Sequence, residues 1–333
     1  MYKIKQIPED FYVEEKMDLE FKDDGQYSYY LLEKRNYTTH DAILAIAKVL
    51  GLKSNFINSA GLKDKFAVTK QNVSVYRGPK KNLELKDIRL TFLGKGDSRL
   101  NVGSLNGNFF SIIVRNISAQ PKRVNVVPNY FDSQRFGMNK DNHIIGKLLI
   151  KRKFREAIDY FSENSHVKEH IEKNPTDFIG ALRRLPKREL QFYISAYQSY
   201  LWNQCIERFL FLSSAEGDSK IKAQKYIGVE DNSGFELKFP VIGFNLELQD
   251  NTKKQIVDEV LENESLSPRD FIVRQFPEIS ADSYERKIYA QIYDLDIGAL
   301  EEDELNQGMK KVRVDFFLEK GNYATNVIKY MFI

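Results

Sequence analysis

The sequence predicts a mixed α/β (α+β) fold arranged in two domains, and three observations support this expectation. The chain has 333 residues, which exceeds the usual size of a single domain. Apolar residues make up 42% and charged residues 29% of it, a balance typical of ordinary globular proteins. Strand-like and helix-like patterns also alternate along the chain, without an internal repeat or a low-complexity tract.

Strand patterns dominate the first half of the chain. Residues 1–15 are extended in character. Apolar side chains share one face of Thr38–Leu50, which predicts a helix that its first threonine residues cap and Gly51 ends. The Lys- and Gly-rich stretch 76–104 predicts strands joined by exposed loops. Runs rich in aromatic and β-branched residues predict three further strands, at Tyr27–Glu33, Val68–Val75 and Phe109–Arg115.

Helix patterns are more frequent in the second half. Apolar residues recur every three or four positions from Leu190 to Leu212, which predicts a long helix that starts near Pro186. Residues 118–128 contain two prolines and have room for a short helix. The other predicted elements are a helix from about Asn139 to Phe161, a polar loop at 213–220, short strands around 225–248, a helix at Thr252–Glu262 and a strand at Val312–Leu318.

Charge is distributed unevenly, although the net charge of the chain is only +3. Residues 1–150 carry 24 Lys and Arg against 16 Asp and Glu, a net +8, and the remainder carries a net −5. Within the first part, residues 63–99 alone carry a net +6. A basic surface of this kind is typical of nucleic-acid binding, but a solvated basic face fits the charge equally well.

Several classes of protein are disfavoured. The chain contains no run of about 18 apolar residues, so no transmembrane helix is predicted. The N-terminus lacks the apolar core of a signal peptide. The single cysteine, Cys205, excludes an internal disulfide and a multi-cysteine metal site, so we expect a cytoplasmic location. His166 and His170 stand four residues apart, but no third ligand pattern follows them, and we expect no metal.

The stretch SAGLKDKFAVTKQ, residues 59–71, stands out chemically. Its small-residue turn leads to Asp64, which lies between Lys63 and Lys65. Gly61 allows the close approach of a substrate, and neighbouring cations stabilise a carboxylate. This arrangement suits a nucleophilic or acid–base aspartate acting on a polyanion, although a solvated charged turn is the commoner meaning of such a pattern.

This stretch resembles the GxKDxxAxTxQ motif of the TruD family of tRNA pseudouridine synthases. Residues 5–15, KQIPEDFYVEE, are similar to the family's amino-terminal KxxPEDFxVxE pattern. Residues 129–137, NYFDSQRFG, are similar to its NYFGxQRFG motif. The order and spacing of the three motifs also match, and weaker matches reach the C-terminus.

The resemblance implies a pseudouridine synthase that isomerises uridine at position 13 of tRNA, by base flipping and without a cofactor. It implies a catalytic domain with a mixed or antiparallel sheet, formed by residues 1–154 and 296–333. An α/β insertion domain, residues 155–295, interrupts it. The expected partner is tRNA, the protein is expected to be monomeric, and neither a membrane nor an obligatory protein partner is expected. The alternatives are another RNA target, or a non-catalytic RNA-binding or chaperone protein.

The resemblance also assigns residues. Asp64 is the expected catalytic group, and Lys5 is expected to orient it. Asn129, Phe131 and Tyr323 are expected to surround the uracil, with Phe131 stacked on the base; core packing is the alternative for that ring. The candidates for RNA contact are Gln134 and Arg135, which match the motif, and, from the basic charge of this region, Lys63, Lys65, Lys80 and Lys81. Asp132 replaces the family's usual glycine, which raises the question of whether the turn keeps its geometry.

Overall fold

The structure, a computed structural model, describes residues 2–137, 139–212 and 236–333. The chain divides into two compact units: a first unit of Met1–Val127 with Ala290–Ile333, and a second unit of Pro128–Tyr289. These bounds differ from those of the expected domains, which remain a prediction. The expected loop at 213–220 and the first part of the expected strands at 225–248 lie outside the described residues.

The described strands, in chain order, are β1 (Phe11–Lys16), β2 (Tyr27–Arg35), β3 (Ile57–Ser59), β4 (Val68–Tyr76), β5 (Leu83–Leu85), β6 (Ile88–Gly96), β7 (Gly107–Ile117), β8 (Val126–Pro128), β9 (Lys238–Val241), β10 (Tyr284–Lys287), β11 (Tyr289–Gln291), β12 (Tyr293–Ile297), β13 (Glu301–Glu302) and β14 (Lys310–Glu319). The described helices are α1 (Thr39–Leu50), α2 (Asn142–Ile150), α3 (Phe154–Asp159), α4 (Ser165–Lys173), α5 (Phe178–Leu182), α6 (Lys187–Leu212), α7 (Asn251–Asn263) and α8 (Ala324–Met331).

A ten-stranded mixed sheet forms the first unit. Its order is β12-β14-β7-β1-β4-β2-β6-β5, with β13 paired to β14 and β3 paired to β4. Strands β1 and β4 run parallel, with Tyr12 opposite Val68, and the other registered pairs are antiparallel. Strands from both ends of the chain therefore share one sheet, and the mixed α+β class expected from the sequence is confirmed.

Helix α1 covers part of this sheet, as its pattern predicted. The Thr38 hydroxyl accepts a hydrogen bond from the Asp41 backbone amide at 3.0 Å, which caps the first turn. Gly51 ends the helix at φ 66°, a left-handed conformation that glycine adopts without strain. The helix and the strands bury one apolar cluster, which includes Leu32, Ala42, Ile46, Val73 and Leu90.

The second unit is mainly helical and is organised around α6. This long helix agrees with the predicted one. Helix α2 packs so closely on it that a Cβ at Gly146 would lie 2.1 Å from the Tyr193 carbonyl oxygen. Strands β9 and β10 form a small antiparallel pair. Among the described residues, no helix is long and apolar enough to cross a membrane.

Two expectations about helices were wrong. The single helix predicted from about Asn139 to Phe161 is divided into α2 and α3, because Arg152 between them adopts φ 58°, which a continuing right-handed helix excludes. Residues 118–128 contain no helix; their described regular element is strand β8. Pro121 and Pro128 in that stretch are compatible with extended backbone.

Candidate active site

Asp64 lies in the loop between β3 and β4, on the first unit's sheet. The Lys5 ammonium donates a hydrogen bond to its Oδ2 at 2.6 Å, and the Asp64 side chain is 34% exposed. Lys5 also lies over the Phe11 ring, 3.9 Å from its centroid, a favourable cation–π distance. The structure thus brings together the predicted pair of Lys5 and Asp64 and leaves the carboxylate within reach of a ligand.

Lys63, the residue before Asp64, points away from the predicted partner. Its ammonium donates to Glu15 Oε2 at 2.8 Å, and the two side chains are only 7% and 0% exposed. Glu15 Oε1 also accepts a hydrogen bond from the Asn72 backbone amide at 3.2 Å. This buried pair ties the loop to β1 and β4, and it leaves the Lys63 ammonium unavailable to a phosphate in this conformation.

Side-chain hydrogen bonds hold the rest of the loop in place. The Lys63 amide donates to the Thr39 hydroxyl at 2.9 Å, and that hydroxyl donates to Gln71 Oε1 at 2.9 Å. Gln71 Nε2 in turn donates to the Gly61 carbonyl at 3.1 Å. Because Thr39 starts α1 and Gln71 belongs to β4, the loop is fixed by two regular elements, which preorganises Asp64.

Lys34 on β2 is a second support that the sequence analysis did not identify. Its ammonium donates to the backbone carbonyls of Asp64 at 2.9 Å and Tyr37 at 2.6 Å, and the residue is 2% exposed. Burial lowers the pKa of Lys34 from 10.5 to about 8, an effect that the charge of Asp64 partly opposes. A buried lysine thus holds the backbone of the candidate catalytic residue.

We expect Lys34 to make the free energy of unfolding depend on pH in the alkaline range. Its pKa is about 8 in the folded protein and near 10.5 when exposed, so between these values the unfolded chain binds more protons and stability rises with pH. Each unit of difference corresponds to about 1.4 kcal/mol. Urea unfolding should therefore be measured for wild type and Lys34→Met from pH 7.5 to 10.5. As pH rises, the free energy of unfolding of wild type should increase relative to that of Lys34→Met. A constant gap would mean that Lys34 titrates like an exposed lysine.

A charged network fixes the amino-terminal arm, residues 2–10, which precedes β1 and carries Lys5. The buried Arg115 guanidinium donates to Asp10 Oδ1 at 2.8 Å, Asp303 Oδ1 at 2.9 Å and Glu304 Oε1 at 3.0 Å. The backbones of Lys3 and Arg115 also exchange two hydrogen bonds of 2.8 Å. Residues from the start, middle and end of the chain therefore meet beneath the amino-terminal arm.

This network lowers the pKa of two carboxyl groups. Burial alone raises the pKa of Asp303, but hydrogen bonds from the Asn116 amide, from Asn306 and Leu305, and from Arg115 bring it to about 2. The hydrogen bond from Arg115 is the main cause of the lowered pKa of Glu304, also about 2. Both groups are thus carboxylates throughout the neutral range and balance the buried guanidinium.

The other predicted residues of the first unit lie at its surface or at element ends. Lys65 is exposed in the Asp64 loop, and Lys80 and Lys81 are exposed in the turn between β4 and β5. Tyr323 is the N-cap residue of α8, directly after β14, and is partly exposed. These positions leave the three lysines available for contacts with a polyanion.

Asn129 and Phe131 lie in the second unit, where both contact Arg286. The Arg286 guanidinium donates to Asn129 Oδ1 at 2.6 Å and lies 4.0 Å from the Phe131 ring centroid. Phe131 also packs edge-on against Trp202, with centroids 5.6 Å apart, and Asn203 exchanges hydrogen bonds with its backbone. Phe131 is 7% exposed, so the NYF segment is held firmly by the packing of this unit.

Gln134 and Arg135 occupy a short 3-10 turn, Ser133–Phe136. Gln134 is exposed, whereas the Arg135 guanidinium donates to the hydroxyls of Ser195 and Ser199 on α6. Asp132 precedes this turn at φ −78° and ψ 165°, an extended conformation open to any residue. An aspartate in place of the family's glycine therefore needs no strained backbone here.

His170, one of the two histidine residues of α4, is engaged by other side chains. His170 is hydrogen-bonded through Nε2 to Asp177 Oδ2 at 2.9 Å, and the Arg184 guanidinium contacts its Nδ1. An acceptor role at Nδ1 places the ring proton on Nε2. Within the described part of the chain, no group of three or more His, Cys, Asp or Glu side chains is arranged to hold a metal ion.

Four further residues contribute to these sites without having been expected from the sequence: Lys34, Glu15, Arg115 and Arg286. Two of them carried a usable signal. Side chains alternate along a strand, so Lys34 falls on the buried face of Tyr30 and Leu32, and Glu15 follows Phe11 and Val13 on β1. A charged residue in phase with a buried face indicates a buried ion pair or hydrogen-bonded group.

The chain was also compared with known proteins. A family model described as "tRNA pseudouridine synthase D (TruD)" matches residues 2–172 and 162–331. A Methanocaldococcus jannaschii protein named "Probable tRNA pseudouridine synthase D 2" is 32% identical, over 99% of this chain and 92% of its own. A Nanoarchaeum equitans protein named "Probable tRNA pseudouridine synthase D" is 30% identical, over 99% and 98%.

The fold is also similar to a solved structure, the crystal structure of a candidate tRNA pseudouridine synthase D from Methanosarcina mazei. The TM-score is 0.71, and the match covers 98% of this chain and 92% of that one. Sequence identity in this match is 24%, so the likeness bears on the fold. It agrees with the mixed α+β architecture described above.

Proposed function

This chain belongs to the tRNA pseudouridine synthase D (TruD) family, and from this premise we propose that it isomerises uridine 13 of tRNA to pseudouridine. The observation that carries the proposal is the Asp64 carboxylate, which Lys5 holds at 2.6 Å in a loop fixed on several sides. The surrounding stretch, residues 63–99, carries a net +6, as a polyanionic substrate requires.

Asp64 is the proposed essential group. The reaction breaks the N1–C1′ bond of uridine and joins C5 of the same base to C1′. The proton on C5 leaves to solvent, and N1 takes up a proton in place of its bond to C1′, so the atoms balance without a redox step or a cofactor. A carboxylate can attack C1′ or act as a base in this sequence, and both routes remain open. Lys5 then orients the carboxylate through its hydrogen bond.

A uracil within a folded tRNA is stacked, so the target nucleotide has to flip out to reach Asp64. Asn129, Phe131 and Tyr323 are the proposed uracil-contacting residues, with Phe131 supplying a stacking face. Exposed Lys65, Lys80, Lys81 and Gln134 are the proposed tRNA contacts. We also propose that residues 1–154 with 296–333 act as the catalytic domain and residues 155–295 as an insertion that helps to clamp tRNA.

Tritium release from C5-labelled uridine in tRNA tests this function directly. The purified protein should release tritium from tRNA, and pseudouridine mapping of cellular RNA with and without the protein should show loss of the modification at position 13. Release from tRNA with no change at position 13 would favour another uridine or another RNA target. Binding to tRNA without release would favour the non-catalytic alternative.

Phe131→Leu is expected to reduce the single-turnover rate about tenfold or more while tRNA affinity stays within a few-fold. Leucine retains an apolar contact with Trp202 and Arg286 but removes the stacking face, and one stacking contact is worth roughly 1–3 kcal/mol. Phosphate contacts, which set most of the affinity, are untouched. The measurement is the rate on bound tRNA beside a tRNA titration.

Phe276→Leu is the matched control for Phe131→Leu. Phe276 is a fully buried ring of the same unit with an arginine, Arg183, 5.5 Å from its centroid. It lies outside all three family motifs, so its replacement should cost stability and leave the rate on bound tRNA unchanged. Equal losses of rate in the two variants would assign Phe131 a packing role only.

A further inference from the structure

A small groove lies at the edge of the first unit's sheet, beside β6. Its volume is about 280 Å³, and it is lined by the segment after β1, by the turn after β4 and by β6 itself. Pockets for small ligands typically span ~300–1,000 Å³, so the groove is comparable in volume to the smallest of them. None of the three family motifs contributes a residue to it.

An irregularity in the sheet shapes the floor of this groove. Tyr29 lies opposite Gly94 and Tyr30 opposite Phe92, so Leu93 is an extra residue on β6. A bulge of this kind redirects a side chain at a sheet edge, and Leu93 is 39% exposed. At this irregularity, β6 therefore presents the apolar side chain of Leu93 to solvent at the edge of the sheet.

Phe21 forms the most exposed apolar wall. The ring rests against Gly94, where a Cβ would lie 2.3 Å from Phe21 Cδ1, and it packs edge-on against Tyr29 with centroids 6.2 Å apart. The Lys22 amide donates to the Lys95 carbonyl at 2.8 Å, which holds the segment in place. The ring is nevertheless 54% exposed, so it is a fixed aromatic platform open to solvent.

Cations surround this platform. Lys80 and Lys95 line the groove, and neither has an ion-pair partner among the described residues. Lys22 is paired with Asp97 at 2.6 Å, and Asp23 is the one lining carboxylate in the described part of the chain. The groove therefore combines an exposed ring with two ammonium groups that no ion pair engages among the described residues, against one lining carboxylate. Both lysines belong to the stretch that carries a net +6.

We propose that this groove binds an unpaired nucleotide of the RNA substrate, outside the reacting site. The base stacks on Phe21, and Lys80 and Lys95 hold the phosphates that flank it. An aromatic face beside cations is the usual arrangement for unpaired nucleic acid, whereas an apolar protein segment would have to desolvate the ammonium groups. The assignment of RNA as the ligand rests on the proposed function.

The test compares three replacements in the full-length protein, using fluorescein-labelled single-stranded RNA of mixed sequence and unlabelled tRNA transcript. Phe21→Leu keeps an apolar side chain and removes the ring, so affinity for the single strand should fall about tenfold. Phe21→Tyr restores a stacking face and should bind within twofold of wild type. Lys80→Glu should make the negative slope of log affinity against log salt concentration shallower by about 0.7 or more, because a phosphate contact is lost.

Two exposed residues of α1 serve as controls, because neither lines the groove. Val49→Ala removes apolar surface and Lys48→Glu reverses a charge, and both should bind as wild type does. Perfectly paired duplex RNA should not distinguish Phe21→Leu from wild type. If Phe21→Leu matches wild type on single strands, or if leucine and tyrosine are equivalent there, the proposed nucleotide site is wrong.

The outcomes for the groove and for the proposed function are separable. If the wild type forms pseudouridine while Phe21→Leu binds and reacts normally, the groove assignment fails and the function stands. If single-strand binding depends on Phe21 but the wild type releases no tritium from tRNA, the function fails and the nucleotide site stands.

Discussion

Asp64→Asn is expected to lower pseudouridine formation about 10³-fold or more, while tRNA affinity stays within a few-fold of wild type. Asparagine has nearly the same shape but can neither attack C1′ nor accept a proton, and general acid–base catalysis alone contributes about 10²–10⁴-fold. The removed charge is negative, so a polyanion loses no attractive contact. Single-turnover tritium release and tRNA titration measure the two quantities.

The surroundings of Asp64 make this variant interpretable. Its loop is held by hydrogen bonds that do not involve the Asp64 carboxylate: Lys34 and Gln71 donate to loop carbonyls, and the Thr39 hydroxyl accepts from the Lys63 amide. The loop should therefore keep its conformation, and the thermal midpoint should change little. Glu84→Gln is a matched control, because Glu84 is an exposed carboxylate of the same unit paired with Arg89 at 2.9 Å. Appreciable turnover by purified Asp64→Asn would remove Asp64 from the reaction.

Local patterns predicted the regular elements well where local physics decides them. Helix α1 has its cap, its apolar face and its terminating glycine within one short stretch, so no distant contact is needed to specify it. The break between α2 and α3 is different, because the left-handed Arg152 is neither a glycine nor an asparagine. Its guanidinium contacts Asp270 and the Ile272 carbonyl, residues that no local pattern connects with it.

The candidate site shows the same division. Asp64 was singled out as a candidate from its own stretch, and the resemblance supplied Lys5, which lies 59 positions away in the chain. The family motifs also contain Glu15, yet its pairing with Lys63 depends on the register of β1 and β4. Arg286 reaches Phe131 and Asn129 from a distant strand, and no pattern in the sequence links these positions.

Arg115→Met is expected to destabilise the protein by about 3–5 kcal/mol, the typical effect of removing one partner from a buried ion pair. Arg115 is 1% exposed, and the side chains of Asp10 and Asp303 are fully buried against it. Methionine fills a similar volume but leaves those carboxylates without a counter-charge. Urea unfolding at neutral pH should show the loss, and activity should fall with it because the network holds the arm that carries Lys5.

Arg313→Met is the control for this prediction. Arg313 lies on β14 of the same sheet and pairs with Asp315, but its side chain is 63% exposed, and surface pairs contribute about 0–1 kcal/mol.

The pH dependence of the stability difference between wild type and Arg115→Met provides a second criterion. Arg115 helps to hold the pKa values of Asp303 and Glu304 at about 2, below their unfolded values. The stabilisation is therefore complete above about pH 4.5 and is lost as pH falls toward 2. The gap between wild type and Arg115→Met should narrow on acidification, and a gap no larger than that of Arg313→Met would mean that the buried network contributes little to stability.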